Sequence, residues 1–213
     1  MSLLPDPASF AVFLTASVVI SITPGPDLTY VFARGLAHGR LAGVISVAGI
    51  VSGLIVHTCL VAFGLAALVA GSDLAFDLIR YLGAAYLIWM GVRLIRSRAG
   101  LRSDGRAVSA SRWSAWYLQG LVTNLLNPKI LLFFLAFLPQ FADPAHGSMA
   151  LQIMLLGAIL IGCGLVALLT VALASGAMGS LLARHPLWLK VQNAITGSLM
   201  IGLALFLLAS ERR

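Results

Sequence analysis

The 213-residue sequence has little charge, since Asp, Glu, Lys and Arg together make up only 10% of it. Soluble domains carry roughly a quarter charged residues. Here 60% of the residues are hydrophobic and the mean hydropathy is +1.01. No soluble fold could bury that much apolar surface, so the sequence predicts an integral membrane protein without a separate soluble domain.

Cysteine is also scarce. Cys59 and Cys163 both lie within apolar stretches, without a C-x-x-C pair or a nearby cluster of histidines and carboxylates. We interpret both as small buried side chains and expect no metal site. The sequence also lacks a Gly-rich phosphate loop, an H-E-x-x-H motif and a pair of carboxylates within the apolar stretches. These absences argue against an enzyme and against a bound cofactor.

The formal net charge of +7 has two explanations. Nucleic-acid binding is disfavoured, because the basic residues lie between apolar stretches and lack interleaved aromatic residues. Membrane topology explains the charge better, since Lys and Arg concentrate in alternate connections, after the first, third and fifth apolar stretches. The positive-inside rule makes these connections cytoplasmic and places both termini outside if there are six spans. Arg212 and Arg213 argue against this orientation, and five spans would move one terminus inside.

Six apolar stretches carry little or no charge, and a helix needs roughly 20 such residues to cross a bilayer. They are Ala8–Val31, Leu41–Ala70, Leu74–Ile95, Trp113–Pro139, Ser148–Leu173 and Val191–Ala209. No Lys or Arg precedes Arg34, so we interpret the first stretch as a retained span rather than a signal peptide. The third stretch has the least defined start, because Asp77 and Arg80 lie within it.

The connection after the third stretch is rich in Ser, Gly and charge, which is typical of a linker. We predict one transmembrane domain over 1–213, with repeat one at 1–96, a linker at 97–112 and repeat two at 113–213. Three spans per repeat is an odd number, so equivalent helices would run in opposite directions. The predicted fold is therefore an all-α membrane protein of about six transmembrane helices, arranged as two inverted three-helix repeats.

Each repeat begins with an interrupted span. Proline lacks a backbone N–H and clashes with the preceding turn, so Pro24–Pro26 should break helix one. The segment Thr123–Lys129, which contains Pro128, should likewise interrupt helix four. Backbone groups freed in lipid need partners, so both breaks should face the protein interior. A break that only shapes the helix bundle is the alternative.

Lys129 falls near the bilayer midplane, where a charged residue costs roughly 2.5 to 3.5 kcal/mol. It should therefore face the interior and meet a partner, and Asp27 is the carboxylate within a span that suits this best. A purely structural pair, or a capping role for Asp27 at a half-helix start, remains an alternative. His57 is better interpreted as a hydrogen-bonded neutral histidine than as a proton relay.

Polar groups near the two breaks suit a zwitterion: an ammonium and exposed N–H groups for a carboxylate, and a carboxylate and free carbonyls for an ammonium. An amino acid presents both groups. We predict that Asp27 also couples transport to protons. The predicted substrate-binding residues are Pro24, Gly25, Pro26, Asp27, Asn124, Asn127, Pro128 and Lys129.

Several segments resemble the lysine exporter superfamily, particularly its LysE/RhtB group, over nearly the whole chain. They are Ile22–Pro26 with Gly39, Arg40 and Gly43; Gly83–Leu87 with Gly91; and Asn124, Asn127–Lys129, Phe133, Phe134 and Pro139–Phe141. The resemblance implies a multi-pass carrier of the bacterial cytoplasmic membrane that exports amino acids or close analogues by proton antiport. It carries the roles of the P-G-P and N-P-K motifs onto Pro24–Pro26 and Asn127–Lys129.

The functional hypothesis is a proton-coupled exporter whose partners are an amino acid, protons and membrane lipids, with no nucleic acid. Whether it forms a homo-oligomer is left open. Two alternatives remain: a membrane scaffold or assembly subunit, in which no solute crosses, and a passive channel or small-ion carrier. A channel would need a continuous ring of ligands, which one sequence does not show.

Overall fold

The computed structural model describes residues 3–65, 73–96 and 113–184, with individual residues between 191 and 209. Regular secondary structure in this part of the chain is entirely helical, which confirms the all-α prediction. The predicted linker at 97–112, as well as Arg212 and Arg213, lies outside the described residues. The domain and repeat boundaries therefore stay predictions.

The first predicted span is two helices, α1 (Pro7–Ile22) and α2 (Pro26–His38), bent by 45°. Asp6 caps α1 by accepting hydrogen bonds from the backbone N–H groups of Ala8 and Ser9. Pro26 begins α2, where its missing N–H costs nothing. The predicted break at Pro24–Pro26 is confirmed.

The fourth predicted span is also two helices, α5 (Trp113–Leu125) and α6 (Pro128–Ala136). The axis of Lys129–Phe141, which includes the 3₁₀ turn Leu138–Phe141, is bent by 51° from that of α5. Asn127 caps α6 with its side-chain Oδ1, which accepts from the backbone N–H of Lys129 at 3.1 Å. The predicted interruption within Thr123–Lys129 is confirmed as well.

The remaining helices are unbroken. Helix α3 (Arg40–Leu60) continues through a π-helical turn to Leu65, and α4 covers Asp73–Arg96. Helix α7 (Met149–Arg184) is the longest of those described. Gly39 separates α2 from α3 with a φ of +86°, a conformation that favours glycine. The described residues between 191 and 209 are helical too.

Two unbroken segments are long and apolar enough to cross a membrane, Arg40–Gly64 and Met149–Ser175. If each bent pair crosses as one span, the described residues contain four spans. The third and sixth predicted spans are not among these four. The length and composition of the described helices are thus consistent with a multi-pass membrane protein, whereas the count of six and the inverted order stay predictions.

Helix α3 lies at the centre and packs against α2, α5 and α7. Its contact with α5 is backbone against backbone. A methyl group on Gly49 would collide with the carbonyl oxygen of Tyr117, and one on Gly120 would collide with that of Ser46. Small residues at such a crossing let two membrane helices approach closely.

A cluster of aromatic rings fills the core between α1 and α6, on the far side of the breaks from α2 and α5. Adjacent rings lie 4.7 to 5.4 Å apart between centroids. We call this the phenylalanine cluster, and its members, all buried, are Phe13, Phe133, Phe134, Phe137 and Phe141.

Candidate functional site

Lys129 is buried in the first turn of α6, with 4% of its surface exposed. Its ammonium donates to the backbone carbonyls of Ile20 at 3.1 Å and Thr23 at 3.0 Å. In an unbroken helix, the N–H of residue 24 would bond the carbonyl of Ile20, but Pro24 has no N–H. Lys129 therefore satisfies backbone groups that the first break leaves free.

Gly25 makes room for this contact. A methyl group at residue 25 would lie 3.2 Å from the Lys129 Nζ atom and 3.4 Å from its Cε atom. Any larger side chain would have to displace the ammonium from the break. In the P-G-P segment, Pro24 thus leaves the Ile20 carbonyl without a helical partner, and Gly25 leaves space for the Lys129 side chain.

Asp27 lies in the first turn of α2 and is 6% exposed. Its Oδ2 atom accepts a hydrogen bond from the Asn124 side-chain amide at 2.9 Å, whereas Oδ1 has no hydrogen-bond partner among the described residues. No salt bridge of 4 Å or less joins Asp27 to Lys129 in that part of the chain. The two groups therefore interact electrostatically without a direct salt bridge, because the carbonyls freed by the break accept hydrogen bonds from the ammonium instead.

Asn124 is positioned by one face of α3. A methyl group on Gly53 would lie 2.5 Å from the Asn124 Oδ1 atom, so this glycine leaves space for the amide. One turn further along, His57 Nε2 lies 3.4 Å from the backbone carbonyl oxygen of Asn124. A carbonyl oxygen only accepts, so this contact requires the Nε2–H tautomer. His57 is thus a hydrogen-bonded buried histidine, and it was absent from the predicted site.

Asp27 and Lys129 face a common cavity of about 30 Å³ beside the two breaks. Apart from Ser21, the other residues that line it are apolar or glycine: Ile20, Leu28, Leu54, Ile130, Leu160, Gly164 and Leu168. Such a cavity has room for about two water molecules, whereas ligand pockets typically hold roughly 300 to 1,000 Å³. In this conformation the cavity is therefore too small to hold an amino acid.

The other predicted residues form the helix breaks or lie near the cavity without lining it. Pro24 and Pro26 form the first break, and Pro128 begins α6. Asn127 uses its Oδ1 atom as the helix cap, while its Nδ2 atom is unpartnered in the part of the chain that the structure describes. Neither asparagine lines the cavity itself. Within the described residues no group of three His, Cys, Asp or Glu side chains could hold a metal ion.

Known proteins provide a comparison for this arrangement. The family model of the LysE type translocator matches residues 18–211. The chain is 34% identical to a homoserine/homoserine lactone efflux protein of Salmonella typhimurium, over 94% of this chain and 95% of that one. It is also 34% identical to a leucine efflux protein of Klebsiella pneumoniae, over 63% and 64% of the two chains.

An uncharacterised membrane protein of Vibrio cholerae is 31% identical over 93% of this chain and 96% of its own. No solved structure matches the chain. Two of these relatives align over nearly their whole lengths and the third over 64% of its length, and the family model includes both helix breaks. The chain therefore belongs to the LysE family of translocators, which are efflux transporters of the membrane rather than enzymes.

Proposed function

We propose that the protein exports small amino acids or close analogues from the cytoplasm, across the bacterial cytoplasmic membrane, by proton antiport. One observation carries the proposal: a buried ammonium and a buried carboxylate, each at a helix break, face the same cavity. These charges match the carboxylate and the ammonium of an amino acid. Efflux proteins for homoserine and for leucine among the relatives support this substrate class.

Lys129 binds the substrate carboxylate in this proposal. Its ammonium is held by two neutral carbonyls rather than by a counter-charge. A carboxylate can therefore approach it without first displacing an ion pair. A carboxylate adds an attraction between opposite full charges that a neutral carbonyl does not offer, so it can compete with the two carbonyls for the ammonium.

Asp27 takes the substrate ammonium or a proton. Its Oδ2 atom is held by Asn124, which leaves Oδ1 free to bind a cation. A single carboxylate cannot bind both at once. Competition between the two cations for Oδ1 would couple the outward movement of substrate to the inward movement of protons.

The proposed architecture is a pair of inverted repeats, 1–96 and 113–213, that move relative to each other. Reciprocal packing supports it, because the broken pair α1 and α2 packs on α7, while the broken pair α5 and α6 packs on α3. A second close crossing joins corresponding parts of the two repeats: a methyl group on Gly91 would lie 2.6 Å from the Gly197 carbonyl oxygen.

Transport by purified protein in liposomes tests the proposal. We expect counterflow of small neutral amino acids. We also expect their export to be faster when a proton gradient drives protons in the opposite direction, into the compartment that the amino acid leaves. Asp27→Asn keeps a hydrogen-bonding oxygen but cannot take up a proton, so exchange should persist while acceleration by the gradient disappears. Asp143→Asn is the matched control, because Asp143 is a partly exposed carboxylate that pairs with His146.

Three outcomes would contradict the proposal. Absence of counterflow for any amino acid would favour a scaffold or assembly subunit. Flux that ignores the proton gradient would favour a passive channel or small-ion carrier. Full gradient-driven export by Asp27→Asn would remove Asp27 from the coupling mechanism.

A further inference from the structure

A line of polar contacts leads from the site to one end of the molecule, between α2 and α5. The residue numbers rise along α2 while they fall along α5, so the two helices run antiparallel. We call this line the polar seam. Its contacts are Asp27 with Asn124, Tyr30 with Gln119 and Trp116, Arg34 with Gln119, and His38 with Trp116.

Arg34 is the cation of the seam, and it is partly buried. It donates a hydrogen bond to Gln119 Oε1, and its guanidinium carbon lies 5.2 Å from the centre of the Tyr30 ring. Tyr30 in turn donates to the Trp116 carbonyl at 3.1 Å, and its hydroxyl lies 3.3 Å from Gln119 Oε1. Neutral groups thus fix the orientation of the guanidinium.

Among the described residues, no negatively charged side chain pairs with Arg34. No carboxylate lies within 4 Å of it in the part of the chain described, and Gln119 takes one of its five N–H donors. Guanidinium groups bind carboxylates through two parallel hydrogen bonds. Arg34 is therefore oriented, partly desolvated and free to bind an anion.

A broad groove of about 360 Å³ lies next to the two residues that hold Arg34, although Arg34 itself does not line it. It opens on the side of α5 where Leu118 and Val122 are exposed. Tyr30 and Gln119, which hold Arg34, line it together with Thr123, Leu118 and Val122. This volume is in the range of small-ligand pockets, roughly 300 to 1,000 Å³. Thr123 lies in the same turn of α5 as Asn124, the partner of Asp27, but adjacent residues on a helix do not share a face, and Asn124 does not line the groove.

The positive-inside rule places this end of the molecule in the cytoplasm, because Arg34 and Arg40 flank the connection between α2 and α3. An exporter loads its substrate from that side. The groove is therefore positioned where an amino acid would arrive before it reaches the cavity at the breaks.

We infer that Arg34, held by Tyr30 and Gln119, forms a second substrate site, where a cytoplasmic amino acid docks through its carboxylate before it passes to Lys129. This inference rests on the proposed function. An anionic lipid headgroup offers the same chemistry to Arg34, so the experiment separates the two sources.

The test is Arg34→Gln in everted membrane vesicles, whose outer surface is cytoplasmic. We expect the half-saturating amino-acid concentration for loading from that surface to rise about tenfold, as loss of a charged hydrogen-bonding partner implies. The maximal rate should change less than twofold. In right-side-out vesicles, loading from the opposite surface should keep its wild-type half-saturation. Arg34→Lys retains the charge but not the two-pronged geometry, so its rise should be about threefold.

Arg93→Gln is the matched control, because Arg93 also lies over an aromatic ring, Trp89, at 5.3 Å but away from the groove. It should leave both half-saturation values unchanged. Protein amount and thermal unfolding are measured for each variant. If either Arg34→Gln or Arg34→Lys fails to fold, the other variant still tests the inference.

If the wild type transports and Arg34→Gln has the same half-saturating concentration for loading from the cytoplasmic surface, this inference is overturned and the proposed function still stands. A wild type that transports no amino acid overturns both. Proteoliposomes of phosphatidylcholine, with and without phosphatidylglycerol, form the second arm. An Arg34→Gln effect that needs phosphatidylglycerol assigns the site to a lipid headgroup and overturns the inference. An effect of equal size in both lipids supports it.

Discussion

The phenylalanine cluster and the polar seam lie on opposite sides of the two breaks, and they close the protein by different physical means. The cluster consists of five buried phenylalanines, and the rings of four of them are in contact. The seam consists of partly buried polar side chains joined by a few hydrogen bonds beside an open groove. Packed rings resist separation more than exchangeable hydrogen bonds do. We therefore expect this conformation to open first at the seam, towards the cytoplasm.

The largest effect is expected in the phenylalanine cluster. Phe137→Ala removes a fully buried ring and should lower the free energy of unfolding by about 3 to 5 kcal/mol. Thermal unfolding in detergent measures this loss. Phe63→Ala is the matched control, since Phe63 is 68% exposed. Equal stability of the two variants would show that packing of the phenylalanine cluster does not stabilise this conformation.

Lys129 lies between the two regions, and its replacement should abolish function. Lys129→Ala removes the proposed carboxylate ligand, so transport in liposomes should fall at least about 100-fold, equivalent to about 2.7 kcal/mol. Lys129→Arg keeps the charge but needs more room beside Gly25, so partial activity is expected. Protein levels are compared, because the freed carbonyls lose their donor. Unchanged export by Lys129→Ala would mean that the lysine serves only the structure of the break.

A smaller effect is expected where α3 supports the seam. Gly53→Ala places a methyl group 2.5 Å from Asn124 Oδ1, so the amide must move away from Asp27. Overpacking of this kind costs about 1 to 3 kcal/mol, and we expect transport to fall about tenfold. Gly162→Ala is the matched control, since a methyl group there meets open space. If both variants transport equally well, Asn124 does not position Asp27 for transport.

The smallest effect is expected within the seam itself. Gln119→Leu removes the acceptor that holds Arg34 and should change the free energy of unfolding by less than about 1 kcal/mol. The half-saturating amino-acid concentration for loading from the cytoplasmic surface should nevertheless rise about threefold. Adding Gln119→Leu to Arg34→Gln should cause no further rise, because the two residues act together. Fully additive effects would show that Gln119 acts separately from Arg34.

Local features of the sequence predicted the breaks correctly. Proline disrupts a helix through its own covalent structure, so Pro24, Pro26 and Pro128 mark the interruptions without knowledge of the fold. The burial of Asp27 and Lys129 also followed from the cost of a charge in lipid. These predictions needed only the chemistry of single residues and the thickness of a bilayer.

Long-range partners were beyond the sequence. Lys129 was expected to bind Asp27, but its acceptors are backbone carbonyls, which every residue has and no pattern distinguishes. Arg34 was interpreted as a marker of topology, because nothing local connects it to Gln119, 85 positions away. The fit of Asn124 against Gly53 likewise depends on how α3 crosses α5. Helix crossings are set by tertiary packing, which a single sequence does not specify.

The small size of the cavity has a consequence for the cell. Among the described residues, a cavity with space for about two water molecules is too small to serve as an open conduit between the two aqueous phases. Each turnover must part the helices and close them again, so the rate is limited by backbone motion and should be that of a carrier rather than a pore. Membranes that contain the protein without substrate should therefore keep their proton gradient. In the proposed antiport, protons would cross only when substrate is exported.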